Sequence, residues 1–197
     1  MPTNIDAIEA AMKLLDRELW VVTARDGARR GGLLATWVSP VSIDRERPVL
    51  LAGIAPNHYT SELIDGSGAV GLHLLRRDQA ALALNFAIGS GRDRDKFAGI
   101  DLRASEGAAP LLQDCLAWFE GQVFARLVTG DRILYWIDVL AAGQTSQEPA
   151  AREHDLFAAA TPGQKGELLA NRDADIRVQR PCHDAWRAQL PLHLRPQ

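Results

Sequence analysis

Two short stretches concentrate the side chains that could do chemistry. The first is GLLATWVSPVS, Gly32 to Ser42, where Thr36, Ser39 and Ser42 recur every third residue beside a large aromatic, Trp37, and a proline, Pro40. Its first half has the apolar character of a strand, and its second half leaves that pattern. Hydroxyls next to backbone amides released from a sheet suit a flat polar heterocycle or a phosphate. The same hydroxyls could equally satisfy turn backbone. The second stretch is Asn57-His58-Tyr59-Thr60, at the start of a short expected helix. Helix N-termini bind anions through free N–H groups and the helix dipole, and Asn57 and Thr60 would add donors. Plain N-capping by Thr60 is the competing reading.

Other chemistry finds little support. Gly27, Gly31 and Gly32 fall in a hairpin rather than between a strand and a helix, so neither a P-loop nor a dinucleotide fingerprint is indicated. There is no GxSxG and no HExxH. The five histidines, His58, His73, His154, His183 and His193, do not pair at metal spacing, and Cys115 and Cys182 form no CxxC. Asp173 and Asp175 read as a solvated helix end. The chain has 197 residues, 47% apolar and 24% charged, with a net charge of −3. That is enough for one soluble domain with a real core and an appendage. It argues against a general affinity for nucleic acid, which needs a basic face. No apolar run is long enough to span a bilayer, and the N-terminus lacks a secretory pattern. A reducing, cytoplasmic setting is expected.

The elements that must position these stretches follow from periodicity. Ile5, Ile8, Met12 and Leu15 have helical spacing, with Thr3 or Asn4 as cap, and predict a helix packed on a sheet. LWVVTA (Leu19–Ala24) predicts a strand, and the Asp-Gly of RDGARRGG a hairpin with a loop longer than two residues. VLLAGIA (Val49–Ala55) and AVGLHLL (Ala69–Leu75) are strands flanking the short helix after Asn57. Asp78 to Ile88 is a helix, followed by the charged loop SGRDRDKFAG. CLAWFEGQVFARLV and RILYWIDVLAA are long strands about the turn Thr129-Gly130-Asp131. Connections this short favour an antiparallel barrel. GQTSQEP (Gly143–Pro149) reads as a linker. Beyond it Thr161-Pro162 starts a helix to about Asn171, and Asp184 to Leu190 forms a second.

In this order the blocks become recognisable. VVTARDGARRGGLLATWVSPVS, PVLLAGIAPNHYTSELIDGSGAVGLHLL, DQAALALNFA with SGRDRDKFAGI, and AWFEGQV with TGDRILYWIDV resemble consecutive segments of the flavin reductase-like family, from Leu19 to about Gly143. The resemblance implies a mainly β fold, an antiparallel split β-barrel of the FMN-binding type with short inserted helices, to which the periodicity adds an N-terminal helix and, outside the family pattern, a C-terminal helical tail. It divides the chain into a domain at 1–143 and a linker with helical extension at 144–197.

It also implies function. Thr36, Trp37, Val38 and Ser39 would wrap the flavin ring; Asn57, Tyr59 and Thr60 would hold its phosphate; Lys96 and Phe97 would belong to the loop that closes on it. Lys96, Arg92 or Arg94 would help neutralise the phosphate. The implied activity is FMN-dependent NAD(P)H:flavin oxidoreduction by a homodimer, serving free flavin or an oxygenase partner, with FAD as the alternative flavin and no metal. Two alternatives stay open: an electron carrier or oxidoreductase using another donor, and a non-catalytic ligand-binding barrel. The chain departs from the pattern at Arg132, where relatives often carry the histidine of Gly-Asp-His. Arg132 is therefore the candidate contact for a nucleotide phosphate, and the electron donor is left open. His73 stands where many relatives carry Asn, which leaves its contact with flavin undecided.

Overall fold

The computed structural model describes residues 4–104, 107, 109–191, 194 and 195, so Thr3 and His193 lie outside it. Strand β1 (Trp20–Asp26) is apolar at consecutive positions because both its faces are covered. Trp20, Val22 and Ala24 enter a buried cluster with Ile54, Leu72 and Ile137, while Leu19 and Val21 join a second with Phe86, Phe97 and Leu156. Alternate side chains of a strand face opposite ways, so β1 is a wall between two cores. It turns into β2 (Arg29–Ala35) through Gly27-Ala28 alone, since Asp26 pairs with Arg29. The loop is therefore two residues, shorter than the sequence suggested. Gly27 permits this by adopting a φ of 58°.

The remaining elements are α1 (Ile5–Met12), β3 (Val38–Pro40), β4 (Val49–Ile54), α2 (Tyr59–Ser67), β5 (Ala69–Leu74), α3 (Ala80–Ala87), β6 (Leu102–Arg103), β7 (Leu111–Leu112), β8 (Ala117–Val128), β9 (Ile133–Gln144), α4 (Glu153–Ala159) and α5 (Pro162–Ala188). Seven strands form one antiparallel sheet in the order β2-β1-β5-β8-β9-β4-β3. Strands β2 and β3 lie at opposite edges yet are joined by only Thr36 and Trp37. Two residues cannot cross a flat sheet of seven strands, whose neighbours sit ~4.8 Å apart. The sheet must curl until its edges approach, which makes it a split barrel. α2 packs Leu63 and Ile64 into the first core, and α3 packs Ala83, Leu84 and Phe86 into the second. The segment after β9 adds Ala151, Leu156 and Ala160 to that second core.

His73 of β5 is fully buried and ties three strands together. Leu112 N–H of β7 donates to its Nε2 at 3.0 Å, so the proton sits on Nδ1, which donates to Val21 O of β1 at 3.0 Å. Both ring nitrogens are thus used inside the protein, and the side chain is a structural strut.

Two expectations are corrected. α1 is helical and capped by Asn4, whose Oδ1 accepts from Ala7 N, but it packs on no sheet: it has no buried residue, and Ile5 is 71% exposed. The two helices of the tail are not the expected pair: α4 precedes Thr161, and α5 runs unbroken for 27 residues through Pro181, merging the two expected segments. An interior proline costs a helix about 3 kcal/mol. Here side chains on both sides of it, Gln179 and His183, are bonded to the barrel rim and hold the helix in line.

Candidate functional site

Thr36 to Ser39 form the seam where the barrel closes. Val38 pairs with Ala52 and Ser39 with Leu51, and Gly53 N–H donates to Trp37 O at 2.8 Å. The Trp37 side chain lies against Gly53 of β4, and the Arg132 guanidinium sits over its ring, 4.7 Å from the centroid. The hydroxyls have separate roles. Ser39 bonds Pro40 O and Ser42 accepts from Asp44 N, so both serve local backbone. Thr36 has no side-chain partner among the described residues and lines a cavity of about 870 Å³. Leu34, Ala87 and Arg132 line it on the barrel side, with α1, α4 and α5 opposite.

The second stretch starts α2, but Thr60 is not its cap. His58 occupies the N-cap position with no side-chain capping bond. Ser61 turns inward, its hydroxyl donating to the carbonyls of Ala55 and His58. Thr60, in the first turn, is 2% exposed, and its hydroxyl has no partner among the described residues. The ring of Tyr59 rests against Gly31 and Gly91 and is covered by the Arg92 guanidinium at 5.2 Å. Arg92 also reaches Asn57 O at 3.4 Å and Glu62 at 3.1 Å. It is the loop cation beside the first turn of α2, whereas Arg94 is held by Asn85 and Ile88 O.

Lys96 and Phe97 face elsewhere. Lys96 Nζ donates to Phe86 O at 2.8 Å, and burial, followed by the neighbouring charge of Arg94, lowers its pKa to about 8. Phe97 meets Phe86 edge-on at 5.4 Å inside the second core. Both side chains brace the loop from behind, so what the loop can offer a ligand is its backbone and Arg92.

Three residues that the sequence did not mark as part of the site complete the rim. Asp175, read as part of a solvated helix end, instead accepts from Asn57 Nδ2 at 2.9 Å and lies 3.0 Å from His58 Nε2. Gln179 donates to Asn57 Oδ1 at 3.2 Å and accepts from Arg132 Nη1. His183 Nδ1 is 3.1 Å from Thr129 O and 3.0 Å from Asp131 Oδ1. Their spacing of four residues is a helical stripe that Pro181 disguised.

Comparison with known families matches residues 12–161 to the flavin reductase like domain. The high molecular weight rubredoxin of Moorella thermoacetica is 31% identical over 170 residues, covering 84% of this chain and 73% of the relative. Diflavin flavoprotein A 1 of Synechocystis is 26% identical over 66% of this chain, which spans only 22% of that protein. Among solved structures, the flavin reductase component of a bacterial two-component tryptophan halogenase superposes with a TM-score of 0.66 at 23% identity, over 78% of this chain and 95% of that one. The chain belongs to the flavin reductase-like family. With membership comes a flavin-related oxidoreductase role and a flavin as cofactor. Among the described residues no helix could cross a membrane, and no group of three or more His, Cys, Asp and Glu could hold a metal.

Proposed function

We propose that this chain is an FMN-dependent NAD(P)H:flavin oxidoreductase that passes reducing equivalents from a nicotinamide nucleotide through bound FMN to free flavin or to a partner oxygenase. The observation that carries the reading is the first turn of α2. It combines an uncapped helix start, the hydroxyl of the nearly fully buried Thr60, which has no partner among the described residues, and Arg92 alongside; the cavity bordered by Thr36 is lined by Asp175 and Gln179, which bond Asn57 just before that turn. Those are donors for a phosphate and a space for a flat ring, so the residues present fit FMN. When bound, FMN would supply the hydride-accepting centre.

The protein's part is to bind and orient. Backbone of the seam from Thr36 to Ser39 would face the polar edge of the ring, where fixed donors stabilise developing negative charge without reorganising. Thr60, Tyr59 N–H and Arg92 would fix the phosphate end. Arg132, stacked on Trp37, would attract a phosphate of the nicotinamide nucleotide. No side-chain acid or base is needed for this chemistry. The unburied apolar stripe of α1, with exposed Phe124 and Leu140 on β8 and β9, gives a homodimer an apolar surface to cover.

Purified protein that carries or takes up FMN and oxidises NADH or NADPH with excess flavin supports the reading; protein that binds no added flavin sinks it. Thr60→Ala is expected to weaken FMN binding by about 1–2 kcal/mol, read by fluorescence titration. Arg132→Ala is expected to raise the KM for the nucleotide about tenfold with kcat little changed. A second reading, an electron carrier with another donor, draws on Arg132 in place of a histidine and on the rubredoxin relative. Flavin-loaded protein inert to both nucleotides would favour it.

A further inference from the structure

α5 begins at Pro162, just beyond the end of the family match at residue 161, so it is an addition to the common domain. Its stripe of Asp175, Gln179 and His183 nevertheless docks beside the start of α2, on Arg132 over Trp37 and on the β8–β9 turn.

The docking creates a conflict over Asn57. Its Nδ2 donates to Asp175 and its Oδ1 accepts from Gln179, so the whole amide is taken by α5. His58 also faces the Asp175 carboxylate. A phosphate at the first turn of α2 would have to share Asn57 with that carboxylate. Two anions against the same donors repel each other, and a partly buried position screens them less than bulk water. The Asn57 amide and the His58 ring, just before the helix start that suits a ligand phosphate, already face an anion from the chain's own tail.

We propose that α5 is an intramolecular latch. In the resting chain Asp175 stands in for the ligand phosphate, and FMN must displace it, freeing Asn57 and, through Gln179, Arg132. This rests on the phosphate-binding role proposed above for the start of α2. A phosphate carries nearly two charges and three acceptor oxygens, so it outcompetes a single carboxylate for the same donors, at a cost in apparent affinity set by the fraction of open chain. The hinge is built for it. α4 stays anchored through Leu156 and Ala160 in the second core, while the first turns of α5 carry Gly163 and Gly166, both facing open space. Interior glycines weaken a helix by about 1 kcal/mol each. Once the latch lifts, the cavity between the barrel and the α5 face bearing Leu168 and Ile176 is open to a second substrate.

The test compares FMN with riboflavin, which has the ring but no phosphate, on the full chain. Asp175→Asn is expected to tighten FMN binding about tenfold and leave riboflavin within about twofold. Gln179→Ala, which loosens the same latch without changing charge at the seat, is expected to shift FMN in the same direction. Amide hydrogen exchange between Asn171 and Ala188 should speed up on adding FMN and stay unchanged with riboflavin. An equal effect on both flavins, no effect on either, or slower exchange with FMN overturns the latch while leaving flavin binding in place. If neither flavin binds to any form of the chain, the flavin reading itself fails, and the latch with it.

Discussion

Acidification from neutral pH to about pH 4 is expected to cost the fold about 3 kcal/mol through His73 alone. Burial holds the pKa of this imidazole down to about 4, with a smaller push from the charge of Arg103, against the hydrogen bond to Val21 that raises it. In the unfolded chain the pKa returns to about 6.5. The folded pKa lies below the unfolded one, so between these values the unfolded state binds more protons. Stability is full above about pH 6.5 and falls as the pH drops through about 4. The strut explains why the proton is refused: it would sit on Nε2, where Leu112 N–H already donates. Urea unfolding at several pH values checks this. His73→Asn, which keeps a donor and an acceptor, should flatten that window. Asp95 and Asp114, held below the usual carboxylate range by Arg30 and Arg76, lose their contributions only at lower pH. A wild-type curve that is flat between pH 6.5 and 4 would remove His73 as the cause.

Gly130→Ala is expected to destabilise the protein by about 3–4 kcal/mol. Two effects add. Gly130 has a φ of 86°, a left-handed conformation that costs an L-residue about 1–2 kcal/mol. A Cβ there would also lie 2.4 Å from Cys182 O and 2.8 Å from His183 Cα, which are helix backbone and cannot rotate aside. Either the turn deforms or the last third of α5 retreats, breaking the His183 bonds to Thr129 and Asp131. Thermal unfolding reads the loss, and hydrogen exchange at 180–188 shows whether the helix lifts. A melting temperature within a degree or two of the parent would mean that α5 does not press on this turn.

What the sequence made legible was local. Asp26-Gly27 marks a hairpin whatever surrounds it, and the apolar run from Leu19 to Ala24 needs only two covered faces. The order of blocks then singled out the Thr36–Ser39 seam and the Asn57–Thr60 turn as the candidate site. What stayed hidden depends on contacts across the chain. Asn57 and Asp175 are 118 positions apart, and nothing near either announces the other. A proline at 181 is a sound reason to end a helix, overridden here by side chains on either side of it. The α1 stripe followed the amphipathic rule and still found no sheet beneath it. Lys96 and Phe97 show a different limit: a family pattern names positions, but burial decides which way the side chains turn.

Pro40 sits in the last strand of the sheet, and that has a bearing on self-association. An unprotected edge strand is a template on which a second molecule can add its own, the first step toward aggregates. β3 is three residues long, and its final residue has no N–H to offer. The stretch that closes the barrel at Thr36 and Trp37 thus also blunts the edge it creates. Replacing Pro40 with a β-branched residue would restore a donor to that edge and leave this protein more prone to join sheets edge to edge as its concentration rises.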